Sequence, residues 1–295
     1  MNILYCGDQG IARGVLVSIL SLLIRGKKTA VYNIYIMTVN YGDVKPFKAK
    51  TLEFLDKLVK KHNKKSFVKL IDATGVFKAD LPKKNMGTYF TPCAMLRLYM
   101  DKVPELAKLE RILYLDYDVV ARRDIEGFYE TDLTGVEAVG VLDIYGRRWY
   151  KYHGWLKKKS DRWEWADLND KPRSFFKQDY MNSGVMLFNM EECRKTGMFE
   201  KARELCAKKK MLLPDQAALN RAISRRRLMA RKYNEQEERP REDTVLHHFS
   251  NNFKFWPYFR VQKVKPFEVK KVHEILKIHE YDDIFEEYEK LKGQL

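Results

Sequence analysis

Asp116 and Asp118 stand one residue apart, directly after the apolar run Ile112-Leu113-Tyr114-Leu115. Side chains on an extended chain alternate between faces, so both carboxylates are expected to point one way and Tyr117 the other. Two carboxylates a few ångströms apart repel each other unless a cation or a shared proton lies between them. A divalent metal suits that place, because hard cations take oxygen ligands. His248 adds one imidazole, and two carboxylates with one imidazole fit manganese or magnesium better than zinc. Its neighbour His247 falls on the opposite face of the same strand, so His248 alone is expected at the site. A metal with so few protein ligands keeps positions open for phosphate oxygens and can neutralise charge on a diphosphate leaving group. Lys254, six residues beyond His248, is the expected point charge for that diphosphate. There is no HExxH helix, GxSxG elbow or Walker phosphate loop, and Gly7-Asp8-Gln9-Gly10 is too short and acidic for a dinucleotide fingerprint.

The elements that must hold these residues alternate in type. Strands are predicted over 2–6, 32–39 and 66–72, with helices starting near Gly14 and spanning 44–62 between them; this alternation argues for a doubly wound parallel sheet. Thr91-Pro92 is an N-cap followed by proline at the first helical position, opening a helix that carries Met95, Leu96, Arg97, Leu98 and Tyr99. After the aspartate-bearing strand comes a short strand over 136–143, ending in Asp143. A buried strand over 184–188 is preceded by Met181-Asn182-Ser183. One helix is predicted over 191–210, and Pro214-Asp215-Gln216 opens another running to 223. Residues 225–227 and 235–243 read as exposed loops, 244–250 as a last strand, and the chain from Pro266 as two amphipathic helices. No repeat or linker divides the chain.

At 295 residues with 45% hydrophobic and 33% charged side chains, the composition is that of a soluble globular protein with a sizeable core. The net charge of +16 (56 basic against 40 acidic residues) favours an anionic partner: nucleic acid, a phosphorylated substrate or an anionic membrane. For a basic nucleic-acid-binding protein without catalysis, the clusters at 157–159, 208–210 and 225–227 are the candidate contacts. They are scattered, and no recognition helix or zinc finger accompanies them, so they read as solvated faces. Cys6, Cys93, Cys193 and Cys206 show no disulfide or zinc spacing, which suits reduced thiols. No stretch reaches membrane-spanning length, and Asp8 stands where a secretory signal carries basic residues. Cytoplasmic residence is expected. Peripheral contact with anionic lipid is allowed through Lys263, Lys265, Lys270 and Lys271 beside Trp256, Tyr258, Phe259 and Phe267. Residues 145–180 mix Trp149, Tyr150, Tyr152, Trp155, Trp163 and Trp165 with many cations, as either a satellite core or an acceptor platform that stacks on sugar rings.

Several of these pieces, in order, resemble the glycosyltransferase family 8 enzymes, the group containing bacterial lipopolysaccharide galactosyl- and glucosyltransferases and glycogenin. They are the opening strand with Asp8, Ala94-Met95-Leu96-Arg97-Leu98, Leu113-Tyr114-Leu115-Asp116-Tyr117-Asp118, Tyr180-Met181-Asn182-Ser183-Gly184-Val185, Pro214-Asp215-Gln216 and His248. The resemblance implies an α/β fold of the glycosyltransferase A type, a single Rossmann-like α/β/α sandwich. The catalytic domain would span 1–265, with a C-terminal helical extension over 266–295. It implies transfer of glucose or galactose from a UDP-sugar to an acceptor hydroxyl with retention, on a cell-envelope glycan, glycolipid or glycoprotein. Asp116 and Asp118 would match the family's Asp-x-Asp, which holds Mn²⁺ (or Mg²⁺) and the donor ribose, and His248 its C-terminal metal ligand. Asp8 would lie near the uridine, and Arg97, Asp143, Asn182, Asp215 and Gln216 would line the sugar and acceptor pocket. The family's late motif is His, two residues, Gly, two residues, Lys-Pro-Trp; here His248, Lys254 and Trp256 keep their places while Asn251 and Phe255 replace Gly and Pro. Ala217 stands where several relatives carry an aspartate, so no nucleophile is available there. Attack by the acceptor from the leaving group's own face is the expected mechanism.

Overall fold

The computed structural model describes residues 1–86, 92–144, 179–211, 213–250 and 264–295. In β1 (Asn2–Cys6), Ile3 and Tyr5 enter one apolar layer and Leu4 and Cys6 the other. The same division recurs in β2 (Asn33–Thr38), with Ile34 and Ile36 on one side and Tyr35 and Met37 on the other. β3 (Phe67–Asp72) pairs with β2 at one edge of the sheet. β4 (Arg111–Leu115) sends Leu113 and Leu115 one way and Ile112 and Tyr114 the other. Strands buried on both faces need such unbroken apolar runs, with helices on both sides. A short β5 (Val119–Ala121) leaves the sheet, which resumes with β6 (Ala138–Leu142), β7 (Met181–Asn189) and β8 (Arg226–Leu228). The order is β3-β2-β1-β4-β7-β6-β8, and β5 pairs separately with β9 (Leu246–His248).

α1 (Ala12–Arg25) and α2 (Ala49–His62) cover the first face, joined by Leu276, Tyr281, Ile284, Phe285 and Tyr288 from the C-terminal helices. The second face carries the 3₁₀ helix Pro92–Lys102 and the helices Met198–Lys208 and Pro214–Ala222. The result is an α/β/α sandwich.

Several expectations are corrected. The sheet is mixed, because β7 runs antiparallel to both β4 and β6. Leu142 and Met181 are register partners, so the chain leaves and re-enters at one edge and must run back. The helix expected over 44–62 begins only at Ala49, since the backbone of Lys45 and Lys48 is bonded to Gln9. The helix expected over 191–210 is broken by Gly197 in the left-handed region (φ 64°), which glycine adopts without strain. Residues 226–228 form an edge strand rather than a loop, and Glu235 and Gln236 are buried rather than exposed. Most of the aromatic segment over 145–180 lies outside the described residues.

β9 carries its two histidines on opposite faces. His247 is buried and its Nε2–H donates to the Glu237 carbonyl at 3.0 Å, while its ring packs on Phe249 and Tyr281. Burial, outweighing the bond to Glu237, lowers its pKa from 6.5 to about 4. The unfolded chain therefore takes up this proton first as pH falls. The contribution of His247 to stability is complete above about pH 6.5, declines between 6.5 and 4, and levels off below. We expect a loss on the order of 3 kcal/mol across that window, measured by urea unfolding against pH, and a flatter profile in His247→Gln.

Candidate active site

Two backbone ladders bring Asp116, Asp118 and His248 together. The β4–β7 pairing extends one residue further, with Asp116 N–H donating to the Gly184 carbonyl at 2.8 Å. The chain then turns, and Val119 N–H donates back to the Asp116 carbonyl at 3.1 Å. The two carboxylates therefore converge across a turn, not by the alternation of an extended strand. β5 pairs with β9 so that Val119 faces His248, and Phe249 N–H donates to the Asp118 carbonyl at 2.9 Å. His248 Nε2 lies 3.3 Å from Asp118 Oδ1 and 3.6 Å from Asp116 Oδ2. One ligand atom from each of the three side chains lies within 4.8 Å of the others.

The packing leaves this cluster no slack on its inner side. A Cβ on Gly184 would stand 2.2 Å from His248 Cε1 and 2.9 Å from Asp116 Oδ2, so only glycine lets ring and carboxylate lie against β7. Asp116 Oδ1 accepts from Tyr114 Oη at 2.6 Å and from Arg97 Nη2 at 3.0 Å. Its other oxygen stays turned toward His248. The donor set and spacing fit a hard divalent ion held by Asp116, Asp118 and His248.

Lys265 is the residue that sequence reasoning missed. Its ammonium lies 2.5 Å from Asp118 Oδ2 and its side chain is mostly buried. Burial pushes the Asp118 carboxyl up, but Lys265 and then His248 outweigh this and hold it below the ordinary carboxylate range. Burial pushes Lys265 down in turn, and Asp118 more than reverses it. A lysine so placed faces inward and is not offered to a lipid surface. The expected lysine, Lys254, lies outside the described residues. The available signal was Lys265-Pro266-Phe267, which repeats the order lysine, proline, aromatic eleven residues beyond Lys254.

Beside the cluster, the ends of β6 and β7 hold a polar network. Asn182 Nδ2 and Gln216 Nε2 donate to Asp143 Oδ2 at 3.1 and 3.2 Å. Gln216 Oε1 accepts from Ser183 N–H and Oγ–H. Asn234, in a stretch whose buried polar side chains the sequence did not mark, donates to Asn182 Oδ1 at 2.9 Å. Arg97, buried, joins network and cluster: Nε lies 3.3 Å from Asp215, Nη1 donates to the Ser183 carbonyl, and the guanidinium sits 3.9 Å over the Tyr114 ring. Burial raises the Asp215 carboxyl; Arg97 opposes this and Asp116 adds to it. Asp8 follows β1 on the same sheet edge and accepts from Gly10 N–H at 2.9 Å. Ala217 packs into the second apolar layer.

The model of the family described as Glycosyl transferase family 8 matches residues 2–259. The chain is 25% identical over 312 aligned positions to a lipopolysaccharide 1,2-glucosyltransferase of Escherichia coli, covering 96% of this chain and 84% of that protein. Among solved structures, an active-site mutant of LgtC covers the whole of both chains with a TM-score of 0.67 at 16% identity. LgtC in complex with donor and acceptor sugar analogs gives 0.62 at 13% identity, again over both whole chains. The glycosyltransferase GlyE of Streptococcus pneumoniae gives 0.58 at 16% identity, over 99% of this chain and 64% of that one. The fold is thereby of the glycosyltransferase A type.

Removing Arg97 would leave Asp116 and Asp215 without their buried counter-charge. Arg97→Met is expected to cost about 3–5 kcal/mol in urea unfolding. Adding Asp215→Asn should recover part of that loss, because one of the two orphaned charges is then gone.

Proposed function

This chain belongs to glycosyltransferase family 8, and from that membership we propose that it moves a hexose from a UDP-sugar to an acceptor hydroxyl with retention. The observation that carries the reading is the convergence of Asp116, Asp118, His248 and Lys265 at one end of the sheet. Asp116, Asp118 and His248 would hold Mn²⁺ or Mg²⁺. When bound there, such an ion supplies charge neutralisation for the diphosphate as it departs. Lys265 adds a positive point charge at the same place, and Arg97 fixes Asp116 in the orientation the site needs. Asp8 is assigned to the uridine side on its position after β1.

In the reaction, the acceptor oxygen bonds to the anomeric carbon as the bond to the β-phosphate oxygen of UDP breaks on the same face. The proton of the acceptor passes to that phosphate oxygen. The hydrogen bonds of Gln216 support this course over a protein nucleophile: its amide oxygen is engaged by Ser183 and its nitrogen by Asp143. Asp215 is tied to Arg97, and Ala217 offers no carboxylate. Asp143, Asn182 and Gln216 would then hold the hydroxyls of sugar and acceptor. The name of the Escherichia coli relative supports glucose, with galactose the alternative implied by the family resemblance, and a cell-envelope glycan as the acceptor.

A nucleic-acid-binding role is not favoured. Arg225 pairs with Glu192, Arg226 with Asn220, and Arg227 with Asp132, so that arginine run is committed within the protein. Among the described residues no helix is long and apolar enough to cross a membrane. Residence in the cytoplasm, where UDP-sugars are made, belongs to the same proposal.

Release of UDP from a panel of nucleotide sugars with Mn²⁺ tests the reading. EDTA should abolish release and added Mn²⁺ restore it, and Asp118→Asn should stay folded while losing at least about a hundredfold in rate, the scale of one transition-state charge contact. Undiminished transfer by Asp118→Asn would sink the proposal. In donor titrations, Lys265→Met is expected to raise KM by roughly tenfold to a hundredfold, as for loss of a hydrogen bond to a charged group. Lys254→Met, at the lysine expected from the sequence, serves as the comparison.

A further inference from the structure

A second set of metal-ligand side chains lies away from the sheet edge, between the C-terminal helical pieces. His273 Nε2–H donates to Asp282 Oδ1 at 2.7 Å, and His279 Nδ1–H donates to Asp282 Oδ2 at 3.2 Å. The two rings stack 4.7 Å apart at 17°. One ligand atom from each of the three lies within 4.8 Å of the others. The backbone is bent to achieve this. Lys277 has φ 56°, the one non-glycine residue with positive φ among those described, at the end of the π-turn Val272–Leu276. Such a conformation is uncommon outside glycine and asparagine, and here it turns the chain so that His279 returns over His273. Leu276 and Ile278 are buried on either side of the bend and hold it.

We propose that His273, His279 and Asp282 bind a transition-metal dication of the zinc class, with the fourth position left to water, separate from the acidic cluster at the sheet edge. Two imidazoles and one carboxylate make a nitrogen-rich set, which suits zinc as the oxygen-rich set of Asp116 and Asp118 does not. The nitrogens that would bind the ion are those whose N–H groups now bridge to Asp282. Binding would replace these two hydrogen bonds by metal bonds from both ring nitrogens and from Asp282, each imidazole carrying its proton on the other nitrogen of the same ring. All three side chains are part-exposed, so an ion reaches them directly, and their ordering precedes its arrival.

The ion would staple the turn Val272–Leu276 to the start of the helix Asp282–Leu291. That helix is pinned to α1 by a bidentate Arg25–Asp283 pair and sends Phe285 and Tyr288 into the first apolar layer. Tyr281, between two of the ligands, lies against His247 and Phe249, on the reverse of the strand that carries His248. The staple would thus fix the packing behind β9 without touching the site in front of it.

Titration calorimetry of the metal-free full chain with Zn²⁺ alone, with thermal unfolding in parallel, tests this. The zinc stoichiometry should fall by one when His273→Ala and His279→Ala are combined. The zinc-induced rise in Tm, about 5 °C at a hundredfold excess over Kd, should disappear with it. His279→Ala alone, a substitution at an exposed side chain, guards against a folding defect and should weaken that binding event at least tenfold. Unchanged stoichiometry and Tm shift in the double variant would overturn the proposal. The same measurements on Asp118→Asn keep it distinct from the proposed reaction, since the histidine-dependent event should persist there; its loss there would also overturn the proposal.

Discussion

Acidic side chains can gather at the closed end of an apolar sheet only if counter-charge is built into the fold beside them. Here two cations do so in different ways. Arg97 is buried within a rigid fork of contacts to Asp116, Asp215, and the carbonyls of Ala94 and Ser183. A guanidinium cannot lose its charge in a protein, so this half of the arrangement is permanent. Lys265 meets Asp118 as a single ammonium on a flexible stem that arrives from the C-terminal side of the chain. Its contact is a point charge. The fold thus gives Asp116 a guanidinium partner and Asp118 an ammonium one.

What the sequence made legible follows from the range of each signal. The apolar run over 112–115, the paired aspartates behind it and the opposed faces of His247 and His248 are local patterns, and local geometry decides them. Lys265 was not legible as a site residue, because its approach to Asp118 spans 147 positions. Nor was Gly184: its need for a bare backbone comes from a histidine on another strand. The antiparallel course of β7 depends on where the chain re-enters the sheet, which no periodicity encodes. Glu235 looked like a loop residue by composition, yet it is buried because the backbone of β9 and the side chain of Arg231 meet it there. The family resemblance supplied the missing long-range information for Asn182, Asp143 and Gln216, whose mutual contacts no single segment reveals.

Charge acts in this protein on two length scales. The excess of sixteen positive charges creates a field that reaches about a Debye length, roughly 8 Å in physiological salt, and draws any anionic partner toward the surface. Within a few ångströms of the sheet edge the sign reverses, since Asp116, Asp118, Asp143 and Asp215 gather there. A surface that was uniformly basic would attract a nucleotide diphosphate without orienting it. A site that was uniformly acidic would repel it. On the proposed reading, the outer field would select the anion while the inner acids would recruit the cation that accompanies it.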